Sequence, residues 1–291
     1  MKIAIHGRPF NDDAAIHIQE LFTQLENKKA EVFVYTPFLH ALKKKNLVQK
    51  QFNSYSKPEE LPEVDYLISI GGDGTLLESV TFVGNRSIPI LGVNTGRLGF
   101  LATTQRQDAS EAINALYNND FKIEERTLIK LISDEDVFQG INFGLNEFTI
   151  LKRDSSSMIV IHAYINGEYL NSYWADGLIV STPTGSTGYS LSCGGPLVLP
   201  QNKNFIITPV SPHNLNVRPM IVPDTCELSF QVEGRSKKIM ISLDSRSRSI
   251  SSGMELKVKK EDFSLKLIEL KSYNYLQTLR NKLNWGLDLR N

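Results

Sequence analysis

Between Tyr66 and Val83 the chain passes from a short apolar run, Tyr66-Leu-Ile-Ser-Ile70, through Gly71-Gly-Asp-Gly-Thr75, into sequence that reads as a helix. A strand that enters a helix through three glycines brings main-chain N–H groups close to an anion, because no Cβ stands in the way and the helix N-terminus favours negative charge. Asp73 within that loop is at odds with simple phosphate docking. A carboxylate there calls for a divalent cation or for a hydroxyl proton to be removed.

The surrounding pattern fits such a unit. Lys2–Ile5, Glu31–Tyr35, 66–70 and 88–93 read as strands, alternating with helical spacing over Ala14–Lys28, Phe38–Val48, 75–83 and 108–118. This predicts a Rossmann-like parallel sheet covered by helices, with ligands at the carboxyl ends of the strands. From Leu128 the chain changes to short alternating segments, Leu128–Ile132, Met158–Ile165, Gly177–Val180, Glu227–Val232 and Lys238–Leu243. Turns at Asn166-Gly167, Glu233-Gly234 and Ser252-Gly253 punctuate them. The expected organisation is an α/β phosphate-loop domain over 1–125, an all-β, sandwich-like domain over 126–265, and a segment over 266–291 that returns to the first. In that segment Tyr273–Gly286 reads as a helix with Leu276, Leu279 and Leu283 on one face.

Composition narrows the function. Lys plus Arg and Asp plus Glu are 32 each, so zero net charge offers no general attraction to nucleic acid or anionic membrane, and any anion site must be local. Cys193 and Cys226 form neither a metal-ligand spacing nor a disulfide framework. The first residues run straight into a strand rather than a signal peptide, and no apolar run reaches the roughly 20 residues of a membrane span. These features predict a cytoplasmic protein.

Three further stretches carry chemistry. In Asp176–Pro196, twelve of twenty-one residues are Gly, Ser or Thr. A flexible linker would not interleave Leu, Ile, Val, Tyr and Pro so densely, so ligand contacts through backbone and hydroxyl groups explain the run better. Asn146-Glu147 taken alone reads first as a polar turn, with a grip on a ribose diol as the sharper reading. Asn94-Thr-Gly-Arg-Leu-Gly-Phe-Leu101 closes strand 88–93 as Gly71–Thr75 closes strand 66–70. There Arg97 is either a phosphate partner or a solvated side chain, and Phe100 either packs or walls a pocket.

Together Gly71–Thr75, Asn94–Leu101, Leu145-Asn-Glu147 and Asp176–Pro196 resemble the NAD kinase family, which transfers a phosphoryl group from a nucleoside triphosphate to the 2′-hydroxyl of the adenosine ribose of NAD. The Gly-Asp-Gly loop is shared with lipid kinases and phosphofructokinases; the Ser/Thr/Gly segment is the more specific match. The resemblance implies that Asp73 is the general base, with Gly74 beside the substrate and Gly72 and Thr75 facing phosphates. It implies that Asn146, Glu147 and Asp176 bind the nicotinamide half, Asp176 from across a subunit interface. It places Thr187, Gly188, Tyr189, Ser190, Leu191 and Ser192 along the dinucleotide, with Arg97, Phe100, Trp174, His213 and Arg246 among the substrate contacts. His213 reads equally well as a hydrogen-bonded structural residue. The chain departs from the family at Gly188 and Cys193, where Ala is common, and at Asp244-Ser245-Arg246, where Asp-Gly-Gln is common.

The implied partners are NAD, ATP or polyphosphate, and Mg²⁺ or another divalent cation carried by the nucleotide, in a homodimer or homotetramer without nucleic acid or membrane. A lipid or sugar kinase with the same loop leaves residues 176–196 unexplained. A non-catalytic pyridine-nucleotide sensor leaves Asp73 without a purpose.

Overall fold

The computed structural model describes residues 1–96, 99–153 and 157–286, and the chain divides into two compact units, residues 1–124 with 266–291, and residues 125–265.

The first unit begins with strands β1 (Lys2–Gly7), β2 (Glu31–Tyr35), β3 (Asn53–Tyr55), β4 (Tyr66–Gly71), β5 (Ile90–Asn94), β6 (Thr104–Gln105) and β7 (Phe121–Arg126). Helices α1 (Asp12–Asn27), α2 (Thr36–Lys44), α3 (Asp73–Val83) and α4 (Ala109–Asn118) alternate with them. Helix α1 buries Ala14, Ile18, Leu21, Phe22 and Leu25, the spacing of a single helical stripe. That stripe joins Ile3, Ile5, Ile68, Ile70, Leu91 and Val93 of the strands in one apolar core. Fully burying each such side chain contributes about 1.5–3 kcal/mol. Helix α2 starts two residues before the expected Phe38 because Pro37 suits a first turn, where a missing N–H costs nothing.

The second unit holds β8 (Ile129–Ser133), β9 (Phe143–Gly144), β10 (Glu147–Lys152), β11 (Ile159–Ile165), β12 (Glu168–Ala175) and β13 (Gly177–Ser181). After the short helix α5 (Tyr189–Ser192) come β14 (Asn204–Val210), β15 (Met220–Pro223), β16 (Leu228–Glu233), β17 (Lys238–Leu243), β18 (Arg246–Ser251) and β19 (Leu256–Lys260). They form two six-stranded sheets, in the orders β12-β11-β16-β19-β8-β9 and β15-β14-β13-β10-β17-β18. Alternate residues of both sheets share one core, with Ile161, Phe230 and Val258 from the first and Phe148, Val180 and Ile241 from the second. The expected all-β sandwich is therefore the observed one.

The chain then returns to the first unit as β20 (Leu265–Leu270) and α6 (Tyr275–Leu283). Strand β20 enters the sheet between β5 and β7, giving the order β3-β2-β1-β4-β5-β20-β7 with β6 beside β5, and it pairs parallel to β5. Helix α6 is shorter than the expected 273–286. Asn274 caps it by accepting the Gln277 N–H at 3.1 Å, and Asn284 ends it in the left-handed conformation at φ 55°. The buried face is Thr278 and Leu279 rather than a leucine stripe, since Leu276 stays 52% exposed. No helix among the described residues is long and apolar enough to cross a membrane.

Candidate active site

In the first unit, Gly72 is the residue before α3 and Asp73 its first residue. Gly72 and Gly74 are exposed, with nothing within 4 Å of where a Cβ would stand. Their surroundings leave room for a bulky anion at a helix N-terminus. Thr75, expected to face phosphates, is buried at 5% exposure beneath the loop.

The Asp73 carboxylate turns onto the loop that follows β5. Its Oδ2 accepts the N–H of Phe100 at 2.9 Å, and its Oδ1 accepts those of Leu101 and Ala102, both at 3.0 Å. A carboxylate has roughly four acceptor sites, so one remains on Oδ2 for an incoming hydroxyl. The approach depends on Gly99, because a Cβ there would lie 1.9 Å from Asp73 Oδ1. Arg97, the expected phosphate partner, lies outside the described residues. Lys282 of α6 instead brings a cation to this loop, its Nζ 5.8 Å from the centre of the half-buried Phe100 ring. The sequence carries no motif around Lys282 that would have singled it out.

In the second unit, Asn146 and Glu147 lead into β10. The turn after β13 wraps them on one side. Thr182 donates its N–H to Asn146 O at 2.8 Å and its hydroxyl to Leu145 O at 2.6 Å. Gly185 packs so closely that a Cβ would fall 2.2 Å from Asn146 O. Gly188 faces the side chains themselves, its Cβ position 3.2 Å from Glu147 Oε2 and 3.9 Å from Asn146 Nδ2. A buried Arg126 steadies this turn through Thr184 Oγ1 at 3.4 Å.

Asp244 holds the other side. Sitting in the β17–β18 turn with φ 52°, it accepts the N–H groups of Leu145 at 2.8 Å, Asn146 at 2.7 Å and Glu147 at 3.2 Å. Asn146 Oδ1 and Glu147 Oε2 are enclosed and have no hydrogen-bond partner among the described residues. Burial first, and the Asp244 charge second, push the Glu147 carboxyl up to about 8. Burial also raises Asp244, against the opposing pull of its three N–H donors and Arg246. An unpartnered buried polar atom costs about 1–3 kcal/mol, which a ligand offering hydroxyls here would recover.

The remaining expected positions are less uniform. Asp176 Oδ1 pairs with Lys152 Nζ at 2.6 Å. Thr187 donates its hydroxyl to Thr184 O at 3.3 Å. Ser190 is buried and shares a 2.8 Å hydrogen bond with Thr208, so it supports the segment from behind, while Tyr189 and Ser192 are exposed and Leu191 half-buried. Trp174 lies 52% exposed on the edge strand β12, its carbonyl accepting the N–H of an exposed His213 at 2.8 Å. Arg246 directs its guanidinium at the loop before Asn146, donating to Ile141 O at 2.6 Å and to Phe143 O, with its charge over the Phe138 ring. Sequence reasoning also left Asp244 without a role, noting it only as the first residue of Asp244-Ser245-Arg246 after the strand-like Lys238–Leu243.

Residues 3–121 match the family model described as the ATP-NAD kinase N-terminal domain, and residues 145–270 that of the ATP-NAD kinase C-terminal domain. The NAD kinase of Cytophaga hutchinsonii is 58% identical over 292 residues, and that of Flavobacterium johnsoniae 44% over 294, each alignment covering 100% of both chains. Among solved structures, yeast NADH kinase complexed with NADH superposes with a TM-score of 0.88 at 22% identity, over 100% of this chain and 89% of that one. An NAD kinase from Archaeoglobus fulgidus in complex with ATP gives 0.77 at 24% identity, over 98% and 99%. At those identities the two structures establish the shared fold.

Proposed function

The chain belongs to the NAD kinase family, phosphotransferases that convert NAD to NADP, and we propose that Asp73 is the base of this reaction and Asn146-Glu147 the grip on its acceptor. The observation that carries the reading is the enclosed pair Asn146 Oδ1 and Glu147 Oε2, unpartnered among the described residues. They suit the hydroxyls and amide of a nicotinamide riboside half, which Asp176, Trp174, His213 and the 187–192 segment would flank.

A ribose hydroxyl is a weak nucleophile near neutral pH, so the reaction needs alignment, proton removal and charge neutralisation. Alignment falls to the acceptor grip, which fixes the far half of the dinucleotide. Proton removal falls to Asp73, whose Oδ2 keeps one acceptor site for the 2′-hydroxyl while its other sites stay on the 100–102 backbone. Charge neutralisation falls to the N–H groups around Gly72 and Gly74, assisted by Arg97. Mg²⁺ or a similar cation enters with the triphosphate as part of the donor substrate and offsets its charge; glycine N–H groups suit phosphate oxygens, not the cation itself. Donor contacts made mainly to phosphates would serve polyphosphate as well as ATP.

Free Cys193 and Cys226 fit a reducing cytoplasm. Exposed Trp174, Met220, Ile221 and Leu215, on or beside the edge strands β12 and β15, support a homo-oligomer built through the β-rich unit. Monomeric scattering at micromolar concentration would refute that assembly.

The decisive experiment incubates purified protein with NAD, ATP and Mg²⁺ and measures NADP. Asp73→Asn is expected to lower turnover by about 10²- to 10⁴-fold while NAD still binds with near-native affinity. Near-wild-type turnover in that variant would remove Asp73 from the base role.

A further inference from the structure

The β17–β18 turn contacts the segment 141–147 through both kinds of backbone group. Asp244 accepts three successive N–H groups, from Leu145, Asn146 and Glu147. Two residues on, Arg246 donates to the carbonyls of Ile141 and Phe143. Asp244 returns its own N–H to Glu147 O at 3.0 Å. Gly144 makes room for the carboxylate, since a Cβ there would come 3.0 Å from Asp244 Oδ1. One hairpin tip thus fixes the backbone from Ile141 to Glu147, and none of these contacts uses Asn146 Oδ1 or Glu147 Oε2, which have no hydrogen-bond partner among the described residues.

We propose that Asp244 and Arg246 are positioning residues for the acceptor, a paired clamp whose anion and cation hold the Asn146-Glu147 backbone so that both side chains meet the NAD hydroxyls and amide together. The proposal rests on the reading that Asn146 and Glu147 bind NAD. Arg246 then contributes without touching substrate, by closing the loop over Phe138, whose ring lies 5.7 Å from its guanidinium carbon.

A clamp made of an anion has a second effect that a neutral brace would lack. Asp244 is the charged group coupled to Glu147, with Arg246 behind it on the same hairpin. The other elements packed here bring Ser181 from β13 and Gly188 from the turn after it, neither of which titrates. Hydroxyl donors favour the ionised carboxylate, so NAD should bind more tightly as pH rises through the Glu147 transition near 8. Removing the Asp244 charge takes away the repulsion but not the burial, and shifts that transition towards acid.

The test compares Asp244→Asn, Arg246→Ala and Glu147→Gln in the full-length enzyme, measuring KM for NAD and for ATP from pH 6.5 to 9.5. In Asp244→Asn the amide NH₂ must face a backbone donor, so at least one of the three hydrogen bonds is lost. The expected result is a rise in KM for NAD of about tenfold or more in both clamp variants, with KM for ATP within about twofold of wild type. In Asp244→Asn the pH transition also moves to lower pH, which a merely structural defect would not produce. If Asp244→Asn does not fold, Arg246→Ala decides through the same split between the two KM values. A raised KM in Glu147→Gln with unchanged NAD kinetics in the clamp variants overturns the clamp alone. An unchanged KM in Glu147→Gln overturns the reading of the acceptor grip beneath it.

Discussion

Gly99 to Ala102 in the first unit and Gly144 to Glu147 in the second are gripped alike. A glycine is followed by three residues whose N–H groups all point at one distant aspartate, with Oδ2 taking the first and Oδ1 the next two. The two aspartates differ in what surrounds them. Asp73 opens a helix beside Gly72 and Gly74, where nothing lies within 4 Å of either glycine's Cβ position, so the gripping carboxylate borders open space. Asp244 occupies a hairpin turn, and the groups left open are the side chains of Asn146 and Glu147 on the segment it grips. On the proposed function, the same backbone device serves chemistry directly in one unit and binding indirectly in the other.

Substituting the two glycines should separate the cases most sharply. In Gly99→Ala the new Cβ would lie 1.9 Å from Asp73 Oδ1, so the carboxylate must leave the loop, and turnover is expected to fall by about 10²-fold. Steady-state assays checking this would break the comparison if Gly99→Ala retained wild-type turnover.

The next effect is on stability. Glu147, raised from its ordinary 4.5 to about 8, keeps in the folded chain a proton that the unfolded chain has already released. The stabilisation from that proton is complete below the unfolded value and is lost as pH rises through 8. Unfolding free energy should therefore decline by roughly 4 kcal/mol between pH 5 and 9 from this group, and Glu147→Gln should flatten the decline. Urea titrations at both ends of the range measure it, and parallel pH slopes for the two proteins would contradict it.

The smallest effect belongs to Gly144→Ala, where the contact with Asp244 Oδ1 is 3.0 Å and a shift of a few tenths of an ångström relieves it. A cost of about 1 kcal/mol in thermal unfolding and a two- to threefold rise in KM for NAD are expected. A loss as large as that of Gly99→Ala would mean that the two grips are equally intolerant.

The alternation of strands and helices before residue 120, and the change to short β segments after Leu128, were legible because each period reports directly on which faces are buried. So was Gly71–Thr75, where glycine spacing follows from backbone approach. The grips were not legible. Asp244 acts on residues nearly 100 positions away, and Gly99 and Gly144 read as ordinary loop glycines until the aspartate they admit is in place. Strands β3 and β6 are too short for any period to show. Strand β14 is buried along almost its whole length, so Asn204–Val210 shows no alternation. The face of α6 was misread because Leu276, Leu279 and Leu283 share a side of an ideal helix, whereas this nine-residue helix packs through Thr278 and Leu279.

Strand β20 reaches its place between β5 and β7 only after the entire β-rich unit has been synthesised. On the ribosome the earlier strands must therefore wait, with an open seam in their sheet, while some 140 residues of another unit emerge. A nascent chain in that interval exposes unpaired strand edges, an exposure that follows from its strand order.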